Sequence, residues 1–292
     1  LYALGILSMQ LEEPAAAEKY LSRFIDVLAE SPDDERDPSR VLLMLSQLAE
    51  QRDDNAAARK WLDKIDSDDP AMTFGVQIKR AHLMGRAGDV AGARKLLSTL
   101  APAEKAEQAQ VVLAEGQVLR DAGEFTNAYK VLEDGTRRFP GNPDLLYDFA
   151  LQAEKIGRVE VMEKALRAVM ALAPDNHHAY NALGYSLAER NVRLDEALAL
   201  IDKALKMAPE DPFIMDSLGW VHFRMGNLDA AEQQLRKAYS LRNDAELAVH
   251  LGEVLWRKGQ QAEARKLLRE ASAKDPKSDT LKNTLARLQL KL

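Results

Sequence analysis

Apolar residues along this chain recur at three- and four-residue spacing, in blocks of roughly a dozen residues broken by short polar stretches. The clearest block runs PFIMDSLGWVHFRMG, from Pro212 to Gly226, and continues NLDAAEQQLRKAYSL. It predicts two helices with a turn at Gly226-Asn227. Gly219 in the first helix and Ala231 in the second are small enough to let two helix backbones approach closely.

That layout recurs. The small residue near the start of each second helix serves as a ruler: Ala17, Ala58, Ala93, Ala128, Met162, Ala197, Ala231 and Ala264. After a first step of 41 the steps are 35, 35, 34, 35, 34 and 33 residues. Met162 is the one large residue on it. Twelve residues before each mark (thirteen before Ala197) lie Gly5, Ser46, Ala81, Gly116, Ala150, Gly184, Gly219 and Gly252, all small. Five before it, Gly88, Gly123, Gly157, Gly226 and Gly259 suit a turn that needs a positive φ. Twelve after it, Pro70, Pro140, Pro174, Pro209 and Pro276 are expected to end the second helix. One extra residue enters the turn in ERNVRL, before Leu194.

The predicted repeats cover 1–30, 39–70, 74–101, 109–140, 143–174, 177–209, 212–242 and 245–276. A capping helix over 278–292 should cover the last repeat with Leu281, Leu285 and Leu288 and turn Lys282, Asn283, Arg287 and Gln289 to water. The acidic stretch SPDDERDP, residues 31–38, reads as a solvated loop, with a binding loop as the alternative. APAEKAEQ, residues 101–108, lacks the terminal proline, and a joint is expected there. Leu1 already sits inside a first helix, so the chain is expected to be a fragment lacking upstream repeats and any targeting or lipid-attachment sequence.

The 292 residues carry a net charge of −6 and no cysteine. That excludes a thiolate nucleophile or cysteine metal site. An acidic balance without a basic stripe argues against nucleic acid. No apolar run reaches the ~18 residues of a membrane span. His177-His178 point about 100° apart on a helix and chelate poorly, so no metal is assigned. No nucleophile triad or phosphate loop is present, so no catalytic residue and no cofactor are assigned.

Helical geometry puts four positions of each first helix on the inner face: six and three before the small residue, and one and four after it. These give Tyr147, Leu151 and Glu154; His178, Asn181, Tyr185 and Ala188; Phe213, Asp216, Trp220 and Phe223; and Glu246, Val249, Glu253 and Trp256. The N-terminal half is plainer: Leu43, Gln47, Ile78, His82, Leu113 and Gln117. The candidate partner-binding residues are therefore Tyr147, His178, Asn181, Tyr185, Phe213, Asp216, Trp220, Phe223, Glu246, Glu253 and Trp256. Two readings stand: a peptide groove with aromatic anchors, or rings packed between adjacent first helices.

The period, small residues, turn glycines and terminal prolines together resemble the tetratricopeptide repeat (TPR) family over essentially the whole chain. The resemblance implies an all-α solenoid, a right-handed superhelix with first helices on its concave face, serving as a non-catalytic interaction scaffold. The family's chaperone-binding clamp needs inner-face Lys and Asn at matched positions, and those places hold Tyr147, Asn181, Asp216 and Val249, so that activity is not expected. NALGYSLAER, the block LDEALALIDKALKMAPEDPFIMDSLGWVHFRMGNLDAAEQQLRKAY and ELAVHLGEVLWRKGQQAEARKLL, within 175–270, are similar to a group of proteobacterial outer-membrane TPR lipoproteins. That similarity implies a partner, a carboxyl-terminal processing serine protease of the periplasm, which the adaptor activates and supplies with substrates such as peptidoglycan hydrolases. It also implies a location on the periplasmic face of the outer membrane, with the lipid anchor outside this chain. The alternatives are an assembly scaffold for an envelope machine (pilus, secretion system or polysaccharide exporter) and a cytoplasmic regulatory module.

Overall fold

A computed structural model describes residues 1–30 and 36–292. The core of the segment expected to form an acidic loop, residues 31–35, lies outside them. Among the described residues there are seventeen α-helices. They fall into two compact units, Leu1–Gly157 and Arg158–Leu292.

The first unit holds α1 (Tyr2–Gln10), α2 (Pro14–Ala29), α3 (Ser39–Gln51), α4 (Asn55–Leu62), α5 (Pro70–Arg86), α6 (Val90–Thr99), α7 (Lys105–Asp121), α8 (Phe125–Arg138) and α9 (Pro143–Lys155). The second holds α10 (Val159–Leu172), α11 (His177–Glu189), α12 (Leu194–Met207), α13 (Pro212–Arg224), α14 (Leu228–Leu241), α15 (Ala245–Arg257), α16 (Gln261–Lys274) and α17 (Asp279–Leu288).

The small-residue ruler is what closes each hairpin. A Cβ on Gly219 would lie 2.5 Å from Leu235 Cγ and 3.2 Å from the carbonyl oxygen of Ala231, the ruler residue itself. A Cβ on Gly184 would lie 2.5 Å from Ile201 Cγ1 and 3.0 Å from the Ala197 carbonyl. Leu235 and Ile201 are fully buried, and each such side chain contributes about 2 kcal/mol through removal from water. The turn glycine is required where φ is positive, as at Gly226 with φ 85°. The ERNVRL turn lacks it. There Asn191 and Arg193 take the left-handed conformation at φ 56° and 48°, which absorbs the extra residue.

Polar side chains start the first helices and so fix where their inner faces point. The side-chain oxygens of Asn142, Asn176, Asp211 and Asp244 accept hydrogen bonds from the backbone N–H groups of Leu145, Ala179, Phe213 and Glu246 at 2.8–3.1 Å.

One expectation is corrected. Pro140, Pro174, Pro209 and Pro276 follow the ends of their helices, but Pro70 opens α5 at its first position. There its missing N–H costs nothing, and α4 has already ended at Leu62. Packing is continuous across 101–108. Val111 and Val118 of α7 pack with Ile78, Leu96, Leu97 and Leu100 before that stretch, so one core runs past it.

The last helix, α17, seals the second unit. Leu281 is buried, and Leu285 and Leu288 pack against the Leu251, Val254, Leu255 and Leu268 cluster. Lys282, Asn283 and Gln289 are exposed. Arg287 is exposed as expected, and its guanidinium also reaches the Glu253 carboxylate at 2.7 Å.

Candidate functional site

The inner face of the second unit is built by α11, α13, α15 and α17. The sequence marks it as the aromatic-rich half, and much of that chemistry is turned inward. Trp220 is 0% exposed, Glu253 3% and Asp216 5%. These three are corrected: they lie inside the helix stack and present no surface to a partner. The reason is that adjacent first helices pack closely enough for their inner-face side chains to bond one another. Trp220 Nε1 donates to Glu189 Oε2 at 2.8 Å, and its ring stacks on His250 at 4.4 Å. His250 Nδ1 lies 2.7 Å from Asp216 Oδ2, with both side chains buried. Glu253 accepts from Thr284 Oγ1 at 3.0 Å and from Arg287 at 2.7 and 3.1 Å.

The electrostatics follow from that packing. Burial works against the His250 imidazolium, but the Asp216 carboxylate and, further off, Glu246 and Glu189 outweigh it and raise its pKa. Glu246 is exposed, but the protein packed beside its carboxyl strips away part of its water and raises its pKa, with Asp216 and Asp244 adding to the push against the pull of His250. The protein packed around His178, together with His177, holds the His178 pKa down.

Other predicted residues of this unit do reach the surface. His178, Phe213 and Glu246 are exposed, and Asn181, Tyr185, Phe223 and Trp256 are half-buried. Several already have companions. Arg242 sits over the Phe213 ring at 5.0 Å and Arg265 over Trp256 at 5.1 Å, while Phe223 packs on Trp220 at 5.0 Å.

The first unit, the plainer half by sequence, carries an open cleft of about 460 Å³ on its inner face. Ile78 and His82 come from α5; Gln110, Leu113, Ala114, Gln117 and Arg120 from α7; Asp144, Tyr147 and Asp148 from α9. Tyr147 is the one partner-binding candidate named from the sequence that lies here. Arg120 donates to Asp148 Oδ2 at 2.8 Å and to Gln117 Oε1 at 2.5 Å, and Gln117 in turn donates to Asp121 at 2.5 Å. Burial holds the His82 imidazole pKa down, and its buried Nε2 has no hydrogen-bond partner. Burial, with Asp148 and Glu154 nearby, raises the Tyr147 phenol. Sequence reasoning passed over Ala114, Arg120 and Asp148, and also Gln110 and Asp144. The last two stand six positions before the small residue of their helix, so the register rule already pointed to them. An aromatic-weighted reading ignored them.

A family profile for the tetratricopeptide repeat matches residues 2–72, 147–212 and 217–279. The chain belongs to the tetratricopeptide repeat family. TPR stacks serve as protein-interaction scaffolds. The chain is 40% identical over 210 residues to the TPR repeat-containing protein PA4667 of Pseudomonas aeruginosa, an alignment covering 72% of this chain and 35% of that protein. It is 25% identical over 232 residues to the TPR repeat-containing protein YpiA of Bacillus subtilis, covering 78% of this chain and 53% of that one. It thus spans from about a third to about half of these relatives. A tetratricopeptide repeat protein from Parabacteroides merdae superimposes with a TM-score of 0.62 at 14% identity, over 85% of this chain and 97% of that one. At that identity the likeness speaks to the fold alone.

Proposed function

We propose that this chain is the interaction scaffold of an adaptor that holds a carboxyl-terminal processing serine protease and its protein substrates together on the periplasmic face of the outer membrane. The observation that carries the scaffold reading is the first unit's cleft, whose aliphatic floor and polar rim suit a peptide segment. The protease itself is suggested by the resemblance of residues 175–270 to lipoproteins with that partner. On this reading the TPR chain supplies no catalytic group. It raises the local concentration of substrate at the protease, and it shifts the protease toward its active state if it binds that state more tightly. The same resemblance implies a lipid anchor in the full-length protein.

The test is cleavage of a purified peptidoglycan hydrolase by the processing protease of the same cell, with and without this chain. Faster cleavage supports the adaptor. No change in rate together with no binding to the protease overturns it and favours an assembly scaffold for an envelope machine.

A further inference from the structure

The two units differ in what their inner faces leave unpaired. In the second unit the buried charges are matched: Asp216 to His250 and Glu253 to Arg287, with Glu189 accepting from Trp220. In the first unit Arg120 is likewise matched to Asp148. Asp144 is different. It is exposed in the first turn of α9, lines the cleft, and among the described residues has neither an ion pair nor a side-chain hydrogen bond. The side-chain amide of Gln110, on α7 and lining the same cleft, is also without a bond among the described residues. Ile78 of α5 and Leu113 and Ala114 of α7 give the same cleft its aliphatic lining.

Each feature selects something. The floor favours an aliphatic side chain, since only burial of apolar surface gains there. A free amide, one donor group and one acceptor, matches a peptide backbone in extended conformation. With its other charges matched, the cleft has one uncompensated carboxylate, so a cation complements it. A volume of about 460 Å³ accommodates a short chain segment and excludes a folded domain.

We infer that this cleft binds an extended peptide segment of a protein partner, one that seats an aliphatic side chain over Ile78, Leu113 and Ala114 and sets a lysine or arginine against Asp144. The inference rests on the scaffold reading above and names the sequence class that the scaffold selects. The aromatic-rich face of the second unit is then chiefly a device of internal packing.

The probe is a panel of fluorescein-labelled, amidated Gly-Ser octapeptides, each carrying one Leu and one Lys at spacings from adjacent to four apart. Binding to the whole chain is followed by anisotropy. At the best spacing, Leu→Ser in the peptide should weaken binding about tenfold, and Lys→Glu about fivefold. Asp144→Lys in the chain should reverse the second preference, so that the Glu peptide binds better than the Lys peptide. Asp144 is exposed, so this variant keeps its fold, and a helical circular dichroism spectrum confirms that. Leu113→Glu should abolish binding of both peptides where the same spectrum shows it folded.

Failure of every panel member to bind at millimolar concentration overturns the inference. So does a peptide preference that Asp144→Lys leaves unchanged. The protease assay is independent of this one. Stimulated cleavage without any peptide preference sinks only the cleft's specificity. A preference reversed by Asp144→Lys without stimulation sinks only the adaptor.

Discussion

Asp216→Asn tests the most unusual feature of the second unit, the buried ion pair between Asp216 and His250. The substitution keeps the shape and one hydrogen bond to the imidazole, so it isolates the charge. At an effective dielectric of about 20, opposite charges 2.7 Å apart attract by about 6 kcal/mol, part of which offsets their desolvation. Breaking such a pair from one side typically costs about 3–5 kcal/mol. The retained hydrogen bond places this variant near the lower figure, or about 10 °C in melting temperature for a domain of this size. The pH dependence gives the sharper test. The folded-state pKa of His250 is raised above its unfolded value, so its contribution is fully present below about pH 6.5 and is lost as pH rises through the raised value. Thermal unfolding of wild type and variant should therefore differ most near pH 6 and converge toward pH 9. The reasoning would be refuted by a gap below about 1 kcal/mol at pH 6, or by one of the same size at both pH values.

Three further outcomes follow from other parts of the fold. Gly184→Val should cost about 1–3 kcal/mol in urea unfolding, because the new side chain meets Ile201 and the rigid Ala197 carbonyl; an unchanged midpoint would show that the hairpin can open. Gly226→Ala should cost about 1 kcal/mol although nothing lies within 4 Å, since its φ is 85°, whereas Gly141→Ala, with open space and no positive φ, should be neutral or slightly stabilising. Glu163, bonded by Arg193 and Arg167, has its pKa held down to about 2, so its stabilisation is present above about pH 4.5 and lost as pH falls toward 2. With solvent screening this amounts to about 1 kcal/mol, and Glu163→Gln should be less stable than wild type at pH 7 but equal to it near pH 2.

The repeat architecture was legible because it depends on local steric demands that recur. Gly184, Gly219 and Gly252 had to be small whatever their neighbours, and Gly226 needed its positive φ within its own turn. The candidate site was legible only in part. Register placed Trp220, Asp216 and Glu253 on the inner-face column, but whether a side chain there meets solvent depends on the next helix along, some 34 residues away. His250, which carries the Asp216 pair, could not be picked out from its own stretch because its partner lies 34 positions upstream. Pro70 shows the same limit on a smaller scale. A proline can end one helix or open the next, and the early end of α4 at Leu62 decided it.

Arg287 has a consequence beyond the pairing it makes with Glu253. A linear stack, in which every hairpin touches only its neighbours, can fray from its end one layer at a time. Arg287 reaches further. Its guanidinium lies 5.8 Å from the centre of the Trp220 ring on α13 and 3.9 Å from Glu189 on α11. The terminal helix is thereby coupled to layers it does not adjoin, and detaching it would disturb contacts three first helices away. The second unit should then lose its end in fewer, larger steps than a plain array, so that α17 exchanges its amide protons with the body of the unit rather than ahead of it.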